Sequence, residues 1–339
     1  MKAYIAKSAR KLVPIERKIP KPGENEVLIC TKTVGICGSD IHLYRGDHPY
    51  TIYPMVFGHE VSGIVEKTGA GQMELEVGDR VVLEPTVFCG SCYPCSVGRT
   101  NCCQNMKTIG VTTDGALSEY FIAPAANLHK IPETLPFNLA ALAEPFSIGF
   151  HAASRAGLKE DEKVLILGAG PIGLAILTAA KSMGTEVMIT DITDFRLSIA
   201  EKMGSDFIIN NSNTDLFVQI SKWTQGQGVP VVFEAVGSPA TIETAVALAS
   251  DAGRVVIVGV TGKKFSVKGV DITKKELTIY GSRNNLWQFK TAIDFLTDSP
   301  GVAENMISHV FSFNETAEAI KFADENSSKT CKVLIDFEF

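Results

Sequence analysis

The sequence predicts an α/β protein with two parts, one rich in short β-strands and one built on a doubly wound parallel sheet. Three observations support this prediction. The 339 residues are enough for about two domains with substantial cores. The first 150 residues or so consist of short β-rich runs separated by Gly and Pro. From about Phe150 onward, strand-like and helix-like segments alternate, which is typical of a parallel sheet covered by helices.

The first part has the pattern of an antiparallel, barrel-like β-structure. Its strand-like runs include EVLICTK, HEVSGIVEKTG and DRVVLEP, and turn signals occur at KPGEN and VGDR. A cysteine-rich segment interrupts this pattern and is interpreted as an excursion from it.

The second part has the pattern of repeated βα units. Its strand-like runs are KVLIL, EVMITD, DFIINN, PVVFEAVG, RVVIVGV and LTIYGSR. Helical segments such as PIGLAILTAAKSMG and PATIETAVALASDAG lie between them. This alternation predicts a doubly wound parallel sheet.

The C-terminal tail is predicted to return to the first part. From about Asn284 it contains two helical segments, LWQFKTAIDFLTD and ETAEAIKFADEN, and a closing strand, KVLIDFEF. The predicted domains are therefore residues 1–149 with 284–339, and residues 150–283.

Composition restricts the class of protein. The 45% hydrophobic content excludes a disordered chain, and the formal net charge of −6 argues against a nucleic-acid surface. The N-terminal residues lack an apolar signal core, and no apolar run approaches the roughly 20 residues of a membrane span. Eight cysteines without other signs of export suit a reducing compartment, so we expect a cytoplasmic protein.

The most specific motif is the cysteine run CGSCYPCSVGRTNCC. Its spacing is typical of a structural zinc site with four thiolate ligands and no open position for substrate. A reduced cysteine-rich loop without metal is the alternative, and adjacent Cys102 competes for the place of the fourth ligand. The predicted ligands are Cys89, Cys92, Cys95 and Cys103.

A second set of metal-binding residue types lies outside this run. Cys37 in GICGSDIH and the pair His59-Glu60 in FGHE offer a thiolate, an imidazole and a carboxylate, and Glu144 in AEPFSIG offers a further carboxylate. A catalytic zinc keeps about three protein ligands and leaves a position for water or substrate. Taken singly, each of these residues is more often a solvated or hydrogen-bonded side chain.

Residues 163–191 have the pattern of a dinucleotide site. A buried strand is followed by GAGPIG, a helical segment and a second strand that ends at Asp191. Asp191 would accept hydrogen bonds from the ribose hydroxyls and repel a 2′-phosphate, so NAD is favoured over NADP. Arg196 lies nearby and could weaken that preference. The predicted cofactor-binding residues are Gly168, Gly170, Pro171, Ile172, Gly173, Asp191 and Arg196.

These motifs together identify a family resemblance. GICGSD, GHE, the four-cysteine run, Glu144-Pro145 and GAGPIG resemble the zinc-dependent medium-chain dehydrogenase/reductase family over the whole chain. The resemblance implies a GroES-like β-barrel catalytic domain and a Rossmann nucleotide-binding domain. Glu144 is similar to the glutamate of the polyol and sugar-acid branch, which includes sorbitol, threonine and galactitol dehydrogenases.

Shorter strings narrow the resemblance. PCSVGRTNCC, KTIGVTTDGALSEY and IYGSRN are similar to the bacterial L-gulonate and L-galactonate 5-dehydrogenases, a group that includes the starvation-sensing protein. This implies oxidation of a six-carbon aldonate, with L-gulonate oxidised at C5 to D-fructuronate as the first expectation.

The family resemblance also implies residue roles. Cys37, His59 and Glu60 would bind the catalytic zinc, and Glu144 would bind it directly or through water. Ser39 matches the hydroxyl that touches the substrate alcohol, and His42 matches the outer member of the proton relay. Asp40 matches the acid that orients the histidine ligand.

Substrate-binding residues are predicted from their positions in the chain. Tyr44, Arg45 and His48 follow the CGSD segment, and Arg283 follows the last strand-like run of the second part. The guanidinium of Arg283 suits bidentate binding of a carboxylate. The alternative is that Arg283 forms an ion pair between domains or contacts the cofactor.

Three other functions remain open at this stage. A polyol dehydrogenase or an L-threonine dehydrogenase would use the same zinc and NAD residues with another substrate. An NADH-binding sensor without catalysis would have no need of Ser39 and His42. The resemblance further implies a homo-oligomer, a dimer or a tetramer, and a small-molecule substrate as the other partner.

Overall fold

The computed structural model describes residues 1–337. These residues pack into two compact units. Unit 1 contains Met1–Glu144 together with the described chain from Phe289 onward, and unit 2 contains Pro145–Gln288. The domain limits drawn from the sequence stay a prediction, because packing units and domains need not end at the same residue.

Strands occur along the whole described chain. They are β1 (Lys2–Ser8), β2 (Lys11–Glu16), β3 (Glu26–Ile36), β4 (Glu60–Thr68), β5 (Arg80–Leu83), β6 (Thr86–Val87), β7 (Lys107–Thr108), β8 (Tyr120–Pro124), β9 (Leu128–Lys130), β10 (Lys163–Leu167), β11 (Glu186–Asp191), β12 (Phe207–Asn210), β13 (Val229–Glu234), β14 (Ala249–Ile257), β15 (Thr278–Gly281), β16 (Ile307–Ser312) and β17 (Lys332–Asp336).

The α-helices are concentrated in the second half. They are α1 (Gly38–Arg45), α2 (Tyr93–Ser96), α3 (Phe137–Ala140), α4 (Ala143–Ala156), α5 (Pro171–Ser182), α6 (Asp194–Lys202), α7 (Leu216–Trp223), α8 (Pro239–Leu248), α9 (Gly269–Thr273), α10 (Phe289–Asp298), α11 (Pro300–Glu304) and α12 (Thr316–Glu325). Short 3₁₀ turns cover Thr100–Cys102, Ala125–Asn127 and Phe313–Glu315.

The main sheet of unit 1 is centred on β3. Its order within the described residues is β16-β17-β3-β4-β5-β9, and β8 also pairs with β3. All of these pairs are antiparallel except β16 with β17. The register places Gly35 of β3 between Glu60 of β4 and Leu334 of β17. The end of β3 therefore lies beside the beginnings of β4 and β17.

A continuous apolar core supports this sheet. It includes Phe57, Leu43 and Leu117, whose side chains are almost completely buried. Apolar side chains of the tail, such as Ile320 of α12 and Ile335 of β17, belong to the same core. The tail therefore packs in unit 1.

The sheet of unit 2 is parallel throughout the described strands. Its order is β12-β11-β10-β13-β14-β15, so the strand order reverses between β10 and β13. Doubly wound sheets bind their ligands at such a reversal, beyond the carboxyl ends of the strands. The alternation of strands and helices in the sequence is confirmed, and so is the predicted fold class.

Two predicted helices are shorter than expected. The segment ASDAG was assigned to a helix but begins β14, because α8 ends at Leu248. Lys275, distant in sequence, donates hydrogen bonds from Nζ to the carbonyl oxygens of Val246, Ala247 and Ala249. These bonds end the helix despite its alanine-rich continuation.

The other difference lies in the tail. Helix α10 begins at Phe289 rather than at Leu286, because Trp287 has a φ of +59°, outside the helical region. The predicted closing strand is β17, and its last two predicted residues, Glu338 and Phe339, lie outside the described residues. Within residues 1–337, no helix has the length and apolar character needed to cross a bilayer.

Candidate active site

Four cysteines converge in the loop between β6 and β7. The sulfur atoms of Cys89, Cys92, Cys95 and Cys103 all lie within 4.8 Å of one another. The Cys92–Cys95 and Cys89–Cys103 sulfur pairs are 3.4 and 3.5 Å apart. These distances are far longer than the roughly 2.05 Å of a disulfide. They approach the sulfur separation of about 3.8 Å around a tetrahedral zinc with Zn–S bonds of about 2.3 Å. This four-cysteine lobe fits a closed zinc site.

Local backbone groups prepare the four-cysteine lobe for metal. Hydrogen bonds from the backbone N–H groups of Ser91 and Cys92 lower the pKa of Cys89 to about 5, which favours the thiolate form. Cys103 is buried, and its sulfur accepts a hydrogen bond from the backbone N–H of Cys89 at 3.3 Å. Cys102, the competing candidate, is not a member of the close group.

A second group combines three kinds of donor. One sulfur of Cys37, one nitrogen of His59 and one oxygen of Glu60 lie within 4.8 Å of one another. The fold explains this convergence, because Cys37 directly follows β3 and His59 directly precedes β4. Antiparallel pairing opposes Gly35 to Glu60 and so brings these two strand ends together. We call Cys37, His59 and Glu60 the mixed-donor group.

Asp40 lies beside two members of the mixed-donor group. Its Oδ2 accepts a hydrogen bond from the backbone N–H of Cys37 at 2.9 Å, and its Oδ1 lies 3.6 Å from His59 Nδ1. Burial opposes the charged form of His59, but the nearby Asp40 and Cys37 side chains raise its pKa well above the usual value. An imidazole with Nδ1 directed at a carboxylate presents Nε2 to a metal ion, as in many zinc sites. The donors therefore suit zinc with an incomplete protein ligand set.

Glu144 lies in the first turn of α4 and is buried. Burial raises the pKa of its carboxyl to about 7; the nearby Glu60 adds to this shift and His59 opposes it. Glu144 is not in the close group of three within the described chain. Direct binding to a metal and binding through water both remain compatible with this position.

Lys332 is a member of this region that the sequence analysis missed. Its side chain is 1% exposed, and its Nζ donates to both carboxylate oxygens of Glu60, at 2.7 and 2.6 Å. Burial lowers the pKa of Lys332, but the nearby Glu60 and Cys37 side chains raise it by a larger amount, so the net shift is upward. The available signal was a lysine at the start of the apolar strand KVLID, where a buried lysine requires a partner.

Ser39 and His42 lie three residues apart on α1, which places them on one face of the helix. Ser39 Oγ is 3.4 Å from His59 Nε2, so it borders the mixed-donor group. His42 is more than half exposed, and its Nδ1 lies 2.8 Å from Asp47 Oδ1. Asp47 was also missed, because an acid in a loop has no recognisable spacing.

The predicted substrate residues have three different environments. Tyr44 is 8% exposed and belongs to the core of unit 1. Arg45 forms an ion pair with Asp324, which also pairs with Arg10. Arg283 is exposed and follows β15 of unit 2. Their roles in substrate binding stay a prediction.

The glycine-rich loop of unit 2 follows β10. Gly168 has a φ of +102°, which favours glycine, and a Cβ at Gly173 would lie 1.8 Å from the carbonyl oxygen of Gly168. A Cβ at Gly170 would meet only Arg196 Nη1, at 3.9 Å. The loop therefore leaves open space at Gly170, at the N-terminus of α5, where a pyrophosphate can approach.

Asp191 is tied to the same loop. Its Oδ2 accepts a hydrogen bond from the backbone N–H of Ala169, and its Oδ1 accepts one from Thr193, both at 2.9 Å. Pro171 and Ile172 begin α5 and are half-buried. The cradle and the acid beside it fit a dinucleotide.

Two family models match the chain. The alcohol dehydrogenase GroES-like domain matches residues 23–133, and the zinc-binding dehydrogenase model matches residues 171–298.

Similar proteins are known over the full length. The starvation-sensing protein RspB of Escherichia coli K12 is 39% identical over 339 residues, covering 99% of each chain. The L-galactonate-5-dehydrogenase of the same organism is 35% identical, again covering 99% of each chain. A crystal structure of an alcohol dehydrogenase from E. coli CFT073 with NADH has a TM-score of 0.94, 39% identity and 99% coverage of both chains.

These comparisons confirm the predicted GroES-like and Rossmann fold class and the predicted class of enzyme. They also agree with the predicted zinc and NAD cofactors, for which the structure has two donor groups and a glycine-rich cradle. The chain belongs to the zinc-dependent medium-chain dehydrogenase/reductase family.

Proposed function

We propose that this protein oxidises a secondary hydroxyl group of a sugar acid, with L-gulonate converted to D-fructuronate by oxidation at C5. The observation that carries the proposal is the mixed-donor group, in which Cys37, His59 and Glu60 converge beside Ser39. Such a set suits a metal ion that must also accept a substrate oxygen.

Cys37 and His59 would hold the catalytic zinc, and Glu60 and Glu144 would be its exchangeable or water-linked neighbours. Cys89, Cys92, Cys95 and Cys103 would hold the structural zinc. Bound zinc would favour ionisation of the substrate hydroxyl, and bound NAD would accept the hydride.

Ser39 and His42 would move the hydroxyl proton. Ser39 Oγ lies next to the mixed-donor group, and His42 lies one turn further along α1. Asp47 accepts a hydrogen bond from His42 Nδ1, which leaves Nε2 of the neutral ring as the proton acceptor. Because His42 is more than half exposed, the proton can pass from it to water.

A sugar acid is favoured over a neutral polyol for two reasons. One relative carries the name L-galactonate-5-dehydrogenase. Arg283 follows β15 and carries a guanidinium, a group that suits bidentate binding of a carboxylate, and Tyr44 and Arg45 are the other two residues proposed for the substrate. We propose Arg283 as the residue that binds the carboxylate of the acid.

The test is a spectrophotometric screen of NAD reduction with hexonates, hexitols and L-threonine. We expect turnover of L-gulonate or another L-hexonate, and none with the Cys37→Ser variant. Rapid turnover of sorbitol or L-threonine with none on any hexonate would replace the proposal by a polyol or threonine dehydrogenase. No NAD reduction with any alcohol would favour an NADH-binding sensor.

A second test addresses Arg283. Arg283→Ala should lower kcat/KM for the hexonate roughly 10- to 200-fold, the scale of about 1–3 kcal/mol, and leave the matching hexitol nearly unchanged. Arg45→Ala is the control, because loss of its bond to Asp324 should lower stability without changing the preference for acid over polyol. Equal losses on hexonate and hexitol in Arg283→Ala would contradict the assignment.

A further inference from the structure

A buried glutamate lies where the strand order of the parallel sheet reverses. Glu234 is the last residue of β13, and the register pairs it with Leu167, the last residue of β10. The glycine-rich loop begins at the next residue, Gly168. Glu234 is 0% exposed, and neither the two zinc groups nor the predicted cofactor-binding residues include it. A buried ionisable side chain beside a cofactor site is a candidate for a role in that site.

One carboxylate oxygen of Glu234 binds the loop that follows β13. Oε1 accepts hydrogen bonds from the backbone N–H groups of Val236 and Gly237, at 2.9 and 2.8 Å. It also accepts one from the hydroxyl of Thr241 at 2.7 Å. The other oxygen, Oε2, is buried without a hydrogen-bond partner among residues 1–337. Such an oxygen reduces stability, so folding alone does not account for a glutamate at this position.

Glu234 also binds the loop that follows β14. Its carbonyl oxygen accepts hydrogen bonds from the backbone N–H groups of Val258 and Gly259, at 2.9 and 3.0 Å. Glycines let the two loops touch, because a Cβ at Gly259 would lie 2.1 Å from the backbone nitrogen of Gly237 and 2.7 Å from Glu234 Oε2. Glu234 therefore holds the two loops together through both its backbone and its side chain.

The loop after β13 also contacts the glycine-rich loop. A Cβ at Gly168 would lie 2.7 Å from Val236 Cγ2, so the side chain of Val236 lies directly against this glycine. Val236 is apolar, yet 52% of it is exposed. A doubly wound sheet binds a dinucleotide in the crevice at the reversal of strand order. Residues 235–238 therefore border the cleft in which the dinucleotide is expected.

We propose that Glu234 is a positioning residue for NAD. Its carboxylate holds residues 235–238 against the glycine-rich loop, and its carbonyl oxygen holds residues 258–260 beside them. One wall of the cofactor cleft is thereby formed before NAD binds. A wall formed in advance need not be ordered on binding, which increases affinity. The inference concerns the cofactor alone and does not depend on which alcohol the enzyme oxidises.

The test measures the dissociation constants of NAD and NADH by fluorescence titration, with no substrate present. Glu234→Ala leaves the donors of residues 235–238 without their acceptor, so we expect both cofactors to bind about tenfold more weakly. Glu234→Gln keeps a carbonyl oxygen for the same donors and should restore both dissociation constants to within about threefold of the wild type.

Thermal unfolding separates this role from a loss of stability. A merely structural glutamate would lower the melting temperature of Glu234→Ala but leave both dissociation constants of the folded protein unchanged. Asp206→Ala is the control, because Asp206 also accepts a hydrogen bond from a backbone N–H, that of Val187. Asp206 directly precedes β12, at the opposite edge of the sheet from the glycine-rich loop. Its loss should lower the melting temperature without changing either dissociation constant.

Gly259→Ala tests the contact between the two loops while Glu234 stays in place. The added methyl group would meet the backbone nitrogen of Gly237, so the loops must move apart. Both cofactors should bind about threefold more weakly or worse. Gly269→Ala is the matched control, because a Cβ at the start of α9 has open space. This pair keeps the test decisive if Glu234→Ala does not fold.

The proposal is overturned if Glu234→Ala or Gly259→Ala binds NAD and NADH with wild-type affinity. It is also overturned if Glu234→Gln binds them as weakly as Glu234→Ala, or if Asp206→Ala weakens binding by as much. A wild type that binds neither cofactor would overturn both this inference and the assignment of NAD. A wild type that binds NAD as expected but oxidises no sugar acid would overturn the proposed function alone.

Discussion

The four-cysteine lobe takes all its donors from residues 89–103, whereas the mixed-donor group takes Cys37 from the end of one strand and His59 and Glu60 from the beginning of another. The lobe contains only sulfur donors, and Cys89 is exposed. The mixed-donor group contains sulfur, nitrogen and oxygen, and His59 and Glu60 are buried beside Asp40.

This difference suits the proposed division of roles, in which the four-cysteine lobe holds a structural zinc and the mixed-donor group a catalytic one. Four thiolates would complete the coordination of a zinc ion, so the lobe suits a structural role. The mixed-donor group has only three close donors, and the buried ionisable side chains of Asp40, Glu144 and Lys332 interact with it. Electrostatic interactions are stronger in a buried environment than in water, so the protonation states of these side chains should influence how the donors bind a metal ion.

The largest expected effect is on activity, from Cys37→Ser. Loss of a thiolate ligand should remove the zinc of the mixed-donor group and lower kcat about 1,000-fold or more, a change of about 4 kcal/mol. The circular dichroism spectrum and the zinc of the four-cysteine lobe should remain. Elemental analysis should fall from about two zinc ions per chain to about one. Loss of both zinc ions in Cys37→Ser would contradict the assignment of the two ions to separate groups.

Cys92→Ser should have its main effect on stability. Losing the closed site removes a ligand that binds only the folded chain, which costs roughly 3 kcal/mol at a few hundred-fold excess over the dissociation constant. We expect a lower melting temperature and weaker assembly, with the catalytic zinc retained. A variant with wild-type stability and no activity would reverse the two assignments.

The third prediction concerns pH in the zinc-free protein. Burial raises the pKa of Glu144 to about 7 from a usual value of 4.5. A raised carboxyl pKa gives stability that is present below about pH 4.5 and lost as the pH rises through about 7. The loss is roughly 3 kcal/mol. Urea unfolding between pH 5 and 8 should show this loss in the wild type, and Glu144→Gln should show less of it. If the unfolding free energies of the wild type and of Glu144→Gln depend equally on pH, Glu144 ionises in the folded protein without loss of stability.

The smallest expected effect lies in unit 2, where the predicted cofactor residues lie close together in the chain, as the four cysteines of the lobe do. Asp191→Ala should weaken NAD binding about tenfold, or about 1.4 kcal/mol. It should also reduce the difference in affinity between NAD and NADP. Asp191 also binds the backbone of Ala169 and Thr193, so part of this loss comes from the loop. Fluorescence titration of the wild type and the variant with NAD and with NADP measures these affinities. Equal use of NAD and NADP by the wild type would contradict the role of Asp191.

The subunit number offers a separate test of the family resemblance. We expect a homo-oligomer, which light scattering at micromolar concentration measures. A monomer under those conditions would contradict this expectation, and it would leave the assignments of the two zinc groups unchanged.

The sequence by itself determined the features that are local in the chain. The cysteine spacing predicted the convergence of Cys89, Cys92, Cys95 and Cys103, and the strand–glycine–helix pattern predicted the loop from Gly168 to Gly173. In both cases the interacting groups are separated by short segments, so backbone geometry alone restricts their arrangement. Alternation of strand-like and helix-like runs likewise determined the parallel sheet, because its periodicity is a local property.

Only the tertiary structure decided which distant residues meet. Glu60 reaches Lys332 because the sheet order places β3 between their strands and Gly35 leaves that path open. Arg45 is bound by Asp324 of α12, which no local pattern indicated. Such pairs join residues more than 270 positions apart. Their formation depends on sheet register and packing, which are set by the whole chain rather than by the spacing of a motif.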